Sequence, residues 1–260
     1  MNRRLLKKLI LEQLPLAAIA FALQLVLLII SCAVMASNTV MEYRIQMWIY
    51  GCEPVDYFLP LFATLPFVFS LYYKRWGGFL KYTGVRTRQE SYVAQHMLAG
   101  FILCFLGVAT VYFVALLVCE FAIPFTTYPG YSAGLENYVF GNLQMEHPLL
   151  FGFGWCLWKG LNAGLFTLFG YALAIYVDNV FLVSISPYIY YLGENLVTSL
   201  FTVSQYSLTT SLALNRLSPS CMHVYNYLAG TIIFVLVSYF IIQLVKLKTG
   251  AGNEHLSDKK

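Results

Sequence analysis

Read from the N-terminus, the chain alternates between long apolar runs and short polar stretches, a pattern that predicts six membrane-crossing helices. A crossing needs roughly 20 predominantly apolar residues, because a hydrocarbon core about 30 Å thick is climbed at about 1.5 Å per residue. The runs that read as spans lie at about residues 14–34, 57–73, 93–119, 160–177, 180–200 and 225–245. Ahead of the first, residues 1–13 pair basic with apolar positions. At about 100° per residue, Leu5, Leu6, Leu9 and Ile10 share one helical face, and Arg3, Arg4, Lys7 and Lys8 lie on the other. That pattern fits an amphipathic helix lying in the interface, or equally a plain basic flank that only sets orientation. Span one reads as retained, since its apolar run exceeds the roughly 7–15 residues of a signal-peptide core.

The polar stretches refine this outline. Glu42, Arg44, Glu53 and Asp56 fall in a loop between spans one and two, and Pro60 and Pro66 predict a kink in span two. Residues 74–92 form the most basic segment, and Thr87, Arg88, Gln89 and Glu90 fit a capping box that opens span three. The stretch 120–147 holds prolines, glycines and aromatics, including Phe121, Phe125, Tyr128, Tyr131 and Tyr138, as suits a headgroup-level loop. The following apolar run, 148–177, is longer than one upright crossing, and Lys159 interrupts it. It divides into a short interfacial helix at about 149–158 and span four, with Lys159 snorkelling to the outer surface. Within span four, Gly160, Ala163, Gly164, Thr167, Gly170 and Ala174 form a strip of small residues that lets another helix approach closely, either within the subunit or across a dimer. Asp178 and Asn179 make a tight turn, Pro187 breaks span five, and residues 202–224 read as a loop dipping partly into the membrane. Residues 1–248 are thus one transmembrane domain, and 249–260 a polar, disordered tail.

Composition supports the pattern: 59% of residues are hydrophobic and 11% charged, against about 45–50% and about 25% in a soluble domain. The net charge of +4 matters less than its distribution. Arg3, Arg4, Lys7 and Lys8, then Lys74, Arg75, Lys81, Arg86 and Arg88, then Lys246, Lys248, Lys259 and Lys260 all fall on one side of a six-span arrangement. By the positive-inside rule this side, with both termini, is cytoplasmic. Arg44, Lys159 and Arg216 are the remaining basic residues, and nothing in the sequence points to nucleic acid.

Candidate chemistry is sparse. The chain has no G-x-x-x-x-G-K-[ST] loop for nucleotide phosphates and no HExxH, so catalysis is not expected of it. The six cysteines lack metal-ligand spacing and read as small packing residues, with a Cys52–Cys221 disulfide left open. The four histidines are isolated. Lys159 and Glu194 are the ionisable residues nearest membrane depth and read as interfacial anchors, which leaves little to bind a coupling ion.

The basic N-terminal helix, the six spans, the inner loop YYKRWGGFLKYTGVRTRQESYVAQHM, the tight turn after span four and the polar segment between spans five and six together resemble an ABC-2 type permease. This is the membrane subunit of a bacterial ABC exporter of the kind found in Firmicutes, with a type V exporter-like fold. The resemblance implies residence in the plasma membrane, a homo- or heterodimer of permease subunits, contact with lipid, and two copies of a separate ABC ATPase that holds ATP and Mg while this chain carries no cofactor. It implies that the loop after span two docks in the ATPase through Trp76, Gly77, Gly78, Phe79, Leu80, Lys81 and Tyr82, with Arg86 and Arg88 nearby. It also implies outward movement of a hydrophobic or amphiphilic substrate such as a peptide antibiotic, lipid or drug-like molecule. Phe62, Phe67, Phe69, Tyr188, Tyr190, Tyr191 and Glu194 are the candidate pathway residues. An ion-coupled secondary transporter and a non-transporting immunity or sensor subunit remain alternative readings of the same chain.

Overall fold

The computed structural model describes residues 3–79, 89–126 and 134–257. Nine α-helices are described: α1 (Arg3–Asn38), α2 (Arg44–Asp56), α3 (Leu59–Trp76), α4 (Gln89–Phe121), α5 (Gly141–Glu146), α6 (Pro148–Tyr176), α7 (Val180–Leu200), α8 (Leu208–Leu212) and α9 (Val224–Ser257). No extended strand occurs among the described residues. Helices α1, α4 (from Ser91) and α9 (to Val245) are each long and apolar enough to cross a membrane, and α2 with α3, bent by 52°, make a fourth candidate. The chain is an all-helical membrane protein.

Helix α6 packs most extensively, against α4 on one side and α3 on the other, while α1 leans on α4 and α2. On α1 the buried positions Leu9, Gln13, Ala17, Phe21, Gln24, Leu28 and Cys32 recur at steps of three and four, so one stripe faces the bundle throughout. The basic residues Arg3, Arg4, Lys7 and Lys8 are exposed, whereas Leu5, Leu6 and Ile10 join Leu9 against Tyr92, Val93 and Ala99 of α4. The N-terminal segment is therefore not a separate interfacial helix. Its apolar face has a protein partner, and no residue before Asn38 stops the helix.

Four further boundaries differ from the sequence reading. Residues 44–56, read as loop, form α2, because Ile45, Met47, Trp48, Ile49, Cys52 and Val55 are buried. The side chain of Gln46 starts this helix by accepting from the backbone N–H groups of Glu42 (2.8 Å) and Tyr43 (3.0 Å). The divided run 148–177 is instead the single helix α6, whose lysine has no need to reach a surface, as the next subsection shows. Helix α7 continues through Pro187, and the Asn179 side chain caps its start by accepting from Phe181 and Leu182 N–H. Helix α9 carries on to Ser257, so most of the stretch read as a disordered tail is helical. It contains no proline, and extending a formed helix costs far less than starting one. Tyr128 and Tyr131 of the 120–147 stretch lie outside the described residues.

Candidate functional site: a buried ion pair at a helix break

Two arginines fix the frame around the site. Arg44, at the start of α2, donates to the carbonyls of Glu120 (2.9 Å), in the last turn of α4, and Ile123 (3.3 Å), just past its C-terminal end. Arg75, at the end of α3, donates to Ala174 O (3.2 Å) and Val177 O (3.0 Å) at the end of α6 and pairs with Asp178 (2.7 Å). Each places a cation on the carbonyls and negative dipole end of a long helix. The bent α2–α3 pair is thereby anchored at both extremities.

At the break between α2 and α3 sits Asp56. Lys159 of α6 donates to both of its carboxylate oxygens, at 2.7 and 2.5 Å, and the two side chains are only 3% and 2% exposed. Tyr112 of α4 donates its hydroxyl to Asp56 Oδ1 at 2.6 Å. Its ring lies 4.4 Å from the Lys159 ammonium, and the Trp48 ring lies 5.9 Å from the same nitrogen. Trp48 is held in turn by its indole N–H, which donates to Tyr112 O at 3.1 Å. Lys159 therefore meets an anion and two aromatic faces. These are the partners needed to offset a desolvation cost of several kcal/mol per buried ion.

The neighbouring glycines explain how α6 delivers this lysine. A Cβ on Gly160 would lie 2.5 Å from Phe105 O of α4, one on Gly164 would lie 2.6 Å from the Phe101 ring, and one on Gly170 would lie 2.6 Å from Thr64 of α3. Thr167 donates to Ala63 O at 2.6 Å. Ala163 and Ala174 are buried beside them. The small-residue strip is thus filled by α3 and α4 of the same chain.

Other sequence-derived candidates are dispersed. Phe67 and Tyr191 are closed into the packing, against Phe21 and Phe166 respectively. Phe62 is partly buried against the same core, Tyr190 lies against Phe169 and Phe234, and Tyr188 stacks on Phe58. Glu194 accepts from Ser207 Oγ (3.0 Å) and Leu208 N–H (3.2 Å), tying α7 to the start of α8 rather than projecting into a path. Trp76, the last residue of α3, and Phe79, just beyond it, are 68% and 46% exposed, and between them Gly77 caps the helix and Gly78 adopts φ +72°. Leu80, Lys81, Tyr82, Arg86 and Arg88 lie outside the described residues.

All six cysteines are free. The Cys52–Cys221 pairing is not made, because Cys52 is buried at the α1–α2 contact while Cys221 is exposed. His96 is not isolated: its Nε2 lies 3.3 Å from Gln13 Nε2, and Gln13 Oε1 accepts from the Tyr171 hydroxyl at 2.9 Å. Among the described residues no group of three or more His, Cys, Asp or Glu is arranged to hold a metal ion.

No family model, curated protein or solved structure matches this chain.

The site must therefore be judged on its own chemistry. Sequence reasoning named Lys159 but sent it to the surface, and left Asp56 in a loop. A lone lysine inside an apolar run signals that an anion is needed. Its partner lies 103 positions away, so the pairing is not visible in either segment.

Proposed function

We propose that the chain is the permease subunit of an ATP-driven exporter of the ABC-2 type, with six crossings, both termini cytoplasmic, and a separate ATPase bound at its basic end. Beyond the four candidate crossings, α6 and α7, at 29 and 21 residues, are long enough to supply two more. The observation that carries the reading is the exposed Trp76–Phe79 turn at the end of α3, immediately ahead of the basic segment 81–88. Exposed aromatics flanked by cations suit an anchor in a partner's pocket, with the charges fixing orientation. The substrate class is a hydrophobic or amphiphilic molecule. Co-expression with an ATPase subunit tests this: the complex should hydrolyse ATP in a vanadate-sensitive manner, and Phe79→Ala should weaken the association. Full coupling after replacement of residues 76–82 would refute the docking assignment.

A second reading, an ion-coupled carrier, is favoured by the Asp56–Lys159–Tyr112 cluster, since ionisable groups buried at a broken helix are where carriers bind ions. It predicts substrate flux by the purified chain alone in proteoliposomes under an ion gradient. The exporter reading predicts none without ATPase and ATP.

A further inference from the structure

A groove with a volume of about 530 Å³ opens between α1 and α3 at the end of the bundle that carries Lys74 and Arg75. Helix α1 runs away from this end and α3 runs toward it, so Leu16, Pro66 and Phe69 line the deeper part, while Tyr73, Glu12 and Lys74 stand at the mouth. Polarity therefore changes along the groove in the sense of an amphiphile, apolar inside the bilayer and ionic at its surface. At the mouth Lys74 and Glu12 pair at 2.6 Å, and the side chains are 17% and 43% exposed. The Glu12 carboxylate is thus open at the rim, and the Lys74 ammonium lies covered directly behind it.

We propose that this groove is a binding site for a bilayer aminophospholipid, with one acyl chain along Leu16 and Phe69, the phosphate on Lys74 and the head-group ammonium on Glu12. The charge pattern makes the choice. A head carrying both a phosphate and a protonated amine satisfies both rim residues, replacing one ion pair by two charge-assisted contacts. An anionic head without an amine sets its charge against Glu12, and a quaternary ammonium has no N–H to donate to the carboxylate. The groove shares Phe79 with the docking turn of the exporter reading and otherwise requires only that the chain sit in a bilayer.

Native mass spectrometry of the full chain in a mild detergent tests it, with phosphatidylethanolamine, phosphatidylcholine and phosphatidylglycerol of matched acyl chains added in turn. Phosphatidylethanolamine should be retained about fivefold over the other two, and Lys74→Ala and Glu12→Gln should each remove about that preference. The exchanged variant E12K/K74E keeps an opposite-charge rim and should keep the preference. Leu16→Trp fills the groove from an exposed position with both charges in place, and should displace the lipid. Equal retention of the three lipids, wild-type retention in both single charge variants, wild-type retention in Leu16→Trp, or a lipid-free dimer that buries the groove would each overturn the proposal.

Discussion

The bundle contains two lysine–carboxylate pairs of nearly the same length in opposite surroundings. Lys159 and Asp56 meet at 2.5 Å with almost no exposure, among Tyr112, Trp48 and the apolar walls of α2, α4 and α6. Lys74 and Glu12 meet at 2.6 Å at the mouth of a groove, half open on the acid's side. Distance alone would rank them equal. Burial separates them, since a pair whose acid is open to water is screened through that side and contributes about 0–1 kcal/mol, whereas removing one member of a fully buried pair strands a charge. On the exporter reading the first is a fixed joint of the fold, and the second is free to exchange its partner for a ligand.

The most disruptive way to break this contrast is Lys159→Met. It leaves Asp56 without its cation and should destabilise the protein in detergent by about 3–5 kcal/mol, read from denaturant-induced loss of helix. Tyr112→Phe keeps the ring beneath the ammonium and deletes one hydrogen bond to Asp56, which should cost about 1.5–3 kcal/mol in the same assay. Lys74→Ala should cost less than about 1 kcal/mol, a difference that shrinks as salt is raised. Smallest in energy but sharpest in contrast is thiol reactivity. The Ser218 hydroxyl, with that of Ser220, holds the exposed Cys221 thiol below its ordinary pKa. Cys32, Cys52, Cys104, Cys119 and Cys156 are buried. Alkylation of the folded protein near neutral pH should therefore fall on Cys221 first, with the rate rising toward a plateau at a lower pH than for an ordinary cysteine. The five buried thiols should react only on unfolding.

How much of this could be read in advance depended on the range of the signal. Helix existence is local: the runs around 14–34, 93–119 and 225–245 announce themselves, and helices cover them. Boundaries failed where a segment's environment was decided elsewhere. Residues 44–56 carry enough polar groups to read as loop, yet Trp48 and Cys52 are buried by α4 and α1, which no window along the chain contains. Lys159 looked like an anchor because its anion stands in a distant segment. Glu194 also read as an interfacial anchor, and its partners are a hydroxyl and a backbone amide more than ten residues on. The glycine strip was legible as close packing, and only the fold shows that α3 and α4 fill it.

A double-mutant cycle tests the central contrast most directly. Asp56→Asn and Lys159→Met are measured singly and together, beside the matching cycle for Glu12→Gln and Lys74→Met. The account predicts a coupling of about 3 kcal/mol inside the bundle and less than about 1 kcal/mol at the groove. An interior coupling no larger than the one at the groove would contradict it.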